Sequence, residues 1–287
     1  MRKDIILPAL ALTGGVAGFL LRRWQLASAY LPETGLFVHG APATFALLGL
    51  TALLALVFLA LIWKKPEGID DFLPAFGAPD MGQMAVLTAA GFLLMLAGGF
   101  GMQSGFRGIR LWRAAPDLYQ LSSPASQLLA GGLCILAGFG VLYMGRMAYR
   151  GELNNGMCFL APFPALAGLV WLFSTHLENG TEPVLMKYGF TLFAALLLTL
   201  SHYYIAGFLF GRPHYRRTAF LSLLGIVVGV TSLADFPGLF TAAAAAGFAL
   251  SALGFARALL GAPWAERMPP LEEDEDDQSG GTNGTNI

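Results

Sequence analysis

The chain has 287 residues, of which 56% are hydrophobic and only 12% are charged, and its mean hydropathy is +0.63. Soluble domains carry roughly a quarter charged residues, so this composition excludes an ordinary water-soluble fold. The formal net charge of -1 conceals a segregation, because "EEDEDD" at 272–277 holds six negative charges and leaves the rest of the chain at +5. No basic cluster falls on a soluble segment, which excludes a nucleic-acid-binding module.

The apolar residues come in long uncharged blocks rather than in alternating or 3.6-residue stripes, which predicts lipid as the solvent. A helix needs about 20 mainly apolar residues to cross roughly 30 Å of hydrocarbon. Eight blocks qualify, at about 5–21, 41–63, 84–102, 128–145, 157–175, 188–211, 218–234 and 236–256. The expected fold is therefore an all-α, polytopic integral membrane helix bundle of about eight transmembrane helices. It occupies residues 1–265, followed by an acidic, disordered, solvated tail at 266–287.

The first block ends in "LLRRWQLASAYLPETG" at 20–35. Arg2 and Lys3 before an apolar run, and "ASA" at 27–29, imitate a cleavable signal, but Arg22 and Arg23 stand between that run and the small-residue site. A retained first helix is expected. At its end the arginines can meet the negative end of the helix dipole and snorkel to headgroups beside Trp24. Alternatively, they can belong to a polar outer site.

Further along, 64–83 mixes prolines, glycines and acids and reads as a loop. "GFGMQSG" at 99–105 imitates a nucleotide loop, yet it closes an apolar block and reads as close helix packing. The stretch 103–127 reads as an outer loop with room for a short interfacial helix, with Arg107, Arg110 and Arg113 on one broad face opposite Ile109 and Trp112. Pro162 and Pro164 should bend or delay the fifth span. "DFPG" at 235–238 must break the 39 residues of the last two blocks, about 58 Å as one helix, into a tight hairpin. Gly14 and Gly18, Gly225 and Gly229, and Gly247, Gly254 and Gly261 have the spacing of close helix contacts, within the chain or in a homo-oligomer.

Lys and Arg asymmetry in the short loops favours both termini on the cytoplasmic side, with eleven basic residues on that side and six on the other. Compactness and the absence of an organelle signal suggest a bacterial cytoplasmic (inner) membrane. A four-plus-four duplication would give parallel halves, but no repeat is evident.

Polar residues inside a membrane are candidates for function, and no charged residue falls at the centre of any span. Buried-carboxylate coupling and a basic voltage-sensing ladder therefore have no support. "SHYY" at 201–204 is the best intramembrane polar cluster; His202 reads first as a hydrogen-bonded core histidine and second as a ligand-facing or titrating group. HExxH, Walker A, GxSxG and paired intramembrane aspartates are all missing, so no catalytic residue is assigned and the chain leans away from an enzyme. Cys134 and Cys158 form no metal or disulfide pattern. "HLE" at 176–178 supplies only two metal donors, and neither a metal nor a cofactor is expected.

Charges of both signs meet only on the outer surface, where mutual ion pairing is the first expectation. Around a lipid-shielded cavity the same groups can hold a zwitterionic or anionic ligand. The functional expectation is thus non-enzymatic recognition or transport of a small solute or lipid headgroup through an outer polar vestibule. Its contacts would be Arg22, Arg107, Arg110, Glu178 and Asp235, with His202 deeper along the path. The alternative is a structural or regulatory subunit packing against another membrane protein, with the acidic tail reaching a cytoplasmic partner. Expected partners are membrane lipids, a small solute or headgroup, and a second membrane protein or copy; nucleic acid is not among them.

Overall fold

The computed structural model describes residues 3–31, 33–63, 69–77, 80–180, 184–235 and 237–261. Its elements are α1 (Lys3–Ser28), β1 (Tyr30–Leu31), β2 (Leu36–Phe37), α2 (Pro42–Ile62), α3 (Phe72–Phe76), α4 (Met81–Ala114), α5 (Ser122–Arg150), α6 (Asn155–Leu160), α7 (Phe163–Glu178), α8 (Gly189–Gly207), α9 (Tyr215–Ser232) and α10 (Leu239–Leu260). β1 and β2 form one small antiparallel hairpin, with Tyr30 opposite Phe37. Eight helical segments, counting α6 and α7 as one, are long and apolar enough to cross a membrane. All eight expected blocks are helical; the acidic tail expected over 266–287 lies outside the described residues.

α10 runs through the middle, touching α1, α4, α5, α7, α8 and α9. Around it the neighbours follow in the order α4, α5, α7, α8, α9 and α1, with α2 against α1 and α9. Consecutive helices mostly touch because the connections are short, and each connection reverses direction. One end of the bundle therefore carries the start of α1, α3 and the end of α10; the opposite, far end carries the hairpin and the end of α4.

Between membrane helices packing does not rest on a hydrophobic difference from lipid, so close backbone approach carries more of the association. α4 and α5 provide this in antiparallel register. Gly91, Gly98 and Gly105 recur every seven residues on α4, and they meet Gly138, Gly131 and Pro124, which recur every seven on α5. A β-carbon placed on Gly98 would lie 2.6 Å from the Gly131 carbonyl oxygen. Another face of α4 meets α10 in the same manner, with Leu87 on Gly254, Leu94 on Gly247 and Phe240 on Gly101. On α1, Gly14 receives Leu54 of α2, while Gly15 and Gly18 receive Val230 and Thr231 of α9.

Three expectations need correction. α4 does not stop near 102 but runs unbroken to Ala114, and α5 already begins at Ser122, so most of the expected 103–127 loop is helix. No proline falls in 81–115 to end it. Secondly, the described part of 64–83 is no simple exposed loop. Asp71 caps α3 by accepting from the Phe72 amide at 2.7 Å, and Ile69, Phe72 and Phe76 are buried. Phe76 packs edge-on against Phe208 and Phe255, so this segment plugs the end of the bundle. Thirdly, Gly261 lies past the end of α10 and does not extend the seven-residue series of Gly247 and Gly254. Pro162 breaks the fifth span between α6 and α7, as expected.

Replacing Gly98 with leucine should therefore separate α4 from α5 and cost about 1–3 kcal/mol or more. Gly99→Ala, one residue on and with open space around it, should gain about 0.5–1 kcal/mol from helix propensity. Thermal unfolding of the two variants in detergent micelles checks the contrast.

Candidate functional site

Because α1 continues to Ser28, Arg22 stands about one and a half turns before its end. It is wholly buried. Its Nε donates to Asp235 Oδ1 at 2.7 Å, and one terminal nitrogen donates to Gln25 Oε1 at 2.6 Å. The other donates to the carbonyls of Met186 and Lys187 at 2.9 and 3.2 Å. The rings of Phe37 and Phe190 lie 5.6 and 5.1 Å from the guanidinium carbon. Gln25 in turn donates to Thr44 Oγ1 at 2.8 Å.

One side chain thus ties α1 to the hairpin, to α2 through Gln25, to the 3-10 turn Leu185–Lys187 and α8, and to the 3-10 turn Leu233–Asp235 that closes α9. The snorkelling anchor expected for Arg22 is overturned, because its head group turns inward to a carboxylate and two carbonyls. Four of its donors are engaged within the chain, so it is not available to a ligand. Arg23 and Trp24, by contrast, are exposed, as a membrane-interface belt requires. Asp235 keeps one buried oxygen, Oδ2, without a hydrogen-bond partner.

Elsewhere at the far end a cleft of about 370 Å³ opens between α4, α5, α7 and the start of α10. α4 contributes Gln103, Ser104 and Arg107, α5 contributes Gln127, α7 contributes Glu178 and α10 contributes Thr241, with Phe100 and Phe240 as the apolar part. The long α4 makes this possible, since Gln103, Arg107 and Arg110 recur at four and three residues and share one helix face. Ser104 donates to Gln127 Oε1 at 2.9 Å, which fixes that amide. Arg107 and Glu178 are both exposed, and among the described residues neither has a hydrogen bond or ion pair. The expected mutual pairing of outer charges therefore holds for Arg22 and Asp235 and not for these two.

Arg110 is exposed one turn beyond Arg107 and outside the cleft lining. Among the described residues no three His, Cys, Asp or Glu side chains come together as a metal site.

From Glu178 the same face of α7 leads inward to Thr175 and Trp171, at spacings of three and four residues. Both are buried, and Thr175 Oγ1 and Trp171 Nε1 lack partners. Buried donors in this state are uncommon and suit an ordered water or a polar visitor. Trp171 stacks on Phe248 of α10 at 5.6 Å, and the His202 ring meets the same Phe248 edge-on at 5.2 Å. His202 Nδ1 lies 2.8 Å from the Leu198 carbonyl and Nε2 3.0 Å from Ser251 Oγ. A carbonyl only accepts, so Nδ1 donates, and in the neutral ring Nε2 accepts from Ser251. Ser201 and Ser222 share a 2.6 Å hydrogen bond between α8 and α9. The first reading of His202, a hydrogen-bonded core histidine, matches this geometry.

Of the six candidates, then, Arg107 and Glu178 meet in one cleft, Arg22 and Asp235 meet in a buried node, and Arg110 and His202 lie outside both. Gln103, Ser104, Gln127 and Thr241 were not foreseen. The available signal was the continuation of the 97–98, 101 and 105 small-residue series of α4 beyond residue 102, which keeps Gln103 and Arg107 on a helix. Compared with known proteins, the chain matches no family model, no curated protein and no solved structure.

Removing one partner of a buried pair leaves an uncompensated charge, at a cost of about 3–5 kcal/mol. Arg22→Ala should lose about that much stability and Arg107→Ala less than about 0.5 kcal/mol, as for an exposed side chain. Chemical unfolding of the purified protein in detergent measures both.

Proposed function

We propose that this protein is a non-enzymatic membrane protein that recognises or moves a small zwitterion, taken as a free solute or as a lipid headgroup, at the far-end cleft. One observation carries the reading: an unpaired arginine and an unpaired glutamate, on different helices, line the same cleft. Arg107 receives the anionic group of the ligand and Glu178 the cationic group, through charge-assisted hydrogen bonds. Gln127, already oriented by Ser104, and Gln103 add amide contacts, while Phe100 and Phe240 cover the ligand's carbon skeleton. The cleft volume lies near the lower end of the range of about 300–1,000 Å³ for small-molecule sites, which suits a compact solute.

In this reading Arg22 and Asp235 hold a separate structural node and are not contacts of the site. Arg110 adds positive field at the mouth. Thr175 and Trp171 form a buried polar step leading inward from Glu178, and Phe248 separates Trp171 from His202. The plug made by Ile69, Phe72 and Phe76 closes the other end, so movement across the membrane requires that plug to shift. The end of the bundle bearing α3 faces the cytoplasm in this proposal, following the basic residues, and the cleft faces outward.

The glycines named for the rival reading, a subunit that packs against another membrane protein, are engaged within the chain. Gly14, Gly18, Gly225, Gly229, Gly247 and Gly254 are all covered by residues of this same chain.

Calorimetric titration of the detergent-purified protein with phosphocholine, phosphoethanolamine and free amino acids tests the proposal, with zwitterionic nanodiscs as the headgroup arm. At least one zwitterion should bind, and Arg107→Ala and Glu178→Ala should each weaken it by roughly 10- to 150-fold, as expected for a charged hydrogen bond of about 1.5–3 kcal/mol. Unchanged binding in both variants, or no binding by any probe, overturns the assignment.

A further inference from the structure

At the opposite end of the bundle a larger groove, about 860 Å³, lies between α7 and α8 where the chain turns into α9. We infer that this groove binds an anionic phospholipid, with its phosphate on Arg212 and Arg217 and an acyl chain along Leu166, Leu169 and Leu200. This site is separate from the far-end cleft and does not rest on the function proposed for it.

The lining changes character along its length. Leu166, Leu169 and Leu200 are exposed to the surrounding lipid and make an apolar track. From Leu200 to Gly207 the track extends about 10 Å along α8 at 1.5 Å per residue. Every charged or titratable nitrogen in the lining falls at one end, within "GRPHYRR" at 211–217. Gly211, at φ +67°, makes the left-handed turn that brings this segment back across the end of α8.

Arg217 is held toward the groove. It donates to the Tyr204 hydroxyl at 3.3 Å and lies over the Tyr204 ring at 5.9 Å. The His214 ring sits 5.4 Å from the same tyrosine, and its Nδ1 lies 2.9 Å from the Arg212 carbonyl, leaving Nε2 for another partner. Among the described residues no carboxylate lines the groove. Two other arginines at this end are engaged elsewhere: Arg257 pairs with Asp80 at 2.7 Å, and Arg216 stacks over Trp63 at 5.3 Å. Among the described residues Arg212 and Arg217 have no carboxylate partner. His214 also leaves the first turn of α9 without a side-chain cap, which adds to the positive field.

A soluble anion would use the arginines but not the apolar track, and a zwitterionic lipid would bring its own cation against two guanidinium groups. An anionic diacyl lipid fits both halves. Arginine suits the phosphate because its planar fork binds two oxygens at once, and tyrosines such as Tyr203 sit naturally at headgroup depth.

Native mass spectrometry of the purified full chain, supplied with phosphatidylglycerol, phosphatidylcholine or inorganic phosphate, provides the test. Phosphatidylglycerol should be retained about tenfold or more over phosphatidylcholine, and the double substitution Arg212→Gln with Arg217→Gln should erase that preference. Leu169→Trp, which fills the track without touching the charges, should also lower phosphatidylglycerol retention while leaving the arginines in place. Should the double variant misfold on gel filtration, Leu169→Trp decides alone. Equal retention of both lipids by the wild type, unchanged retention in Leu169→Trp, or displacement of the lipid by millimolar phosphate would each overturn the inference.

Discussion

A guanidinium ion withdrawn from both water and headgroups is tolerated only if its charge and donors are answered nearby. The far end of this bundle is arranged around that requirement. Arg22 is answered by a carboxylate at the end of α9, two carbonyls before α8, a glutamine on its own helix and two aromatic faces. None of these partners is close to it in sequence except Gln25. Meeting the demand of one ion therefore fixes the relative positions of α1, α8 and α9, and through Gln25 and Thr44 that of α2 as well. A lysine would not serve equally, since a compact ammonium cannot present a planar fork to the carboxylate and the carbonyls together.

The same division separates structural charge from available charge. Arg22 and Asp235 neutralise one another inside, and Arg257 and Asp80 do so at the exposed surface of the other end. At the far end Arg107 and Glu178, which have no such partner among the described residues, line one cavity; at the opposite end Arg212 and Arg217 line another. The first set carries both signs and suits a zwitterion, while the second carries one sign beside an apolar track and suits an anionic amphiphile. The interior between them is held by contacts that leave little room to adjust, with glycine against glycine in α4 and α5 and glycine against leucine in α4 and α10. The plug around Phe76 is a separate short element that closes one end, and it is the natural place for such a bundle to move.

Much of the fold was legible because hydrocarbon thickness imposes a length that composition alone reveals. All eight apolar blocks became helices, and the break at "DFPG" and the delay at Pro162 followed from backbone chemistry. Helix ends were not legible in the same way. Hydropathy falls at residue 102 because Gln103, Arg107 and Arg110 are polar, yet nothing there opposes helical geometry, so α4 leaves the apolar layer without ending. The plug was missed for the converse reason: Ile69, Phe72 and Phe76 are too few to make a span, and prolines around them suggest a loop. For the site, residue types pointed to the outer surface, but they could not separate Arg22 from Arg107. Both are arginines near the end of a span. Only the tertiary partners, 213 residues away for Asp235, decide that one is buried and the other is open.

Residue-resolved arginine modification tests this separation directly. Intact protein in membrane vesicles would be treated with phenylglyoxal and each arginine followed by mass spectrometry. Arg107 and Arg110 should react at the rate of exposed side chains, while Arg22 should stay protected until the protein is unfolded. Reaction of Arg22 as fast as Arg107 in the folded protein would contradict the buried node and the separation of structural from available charge.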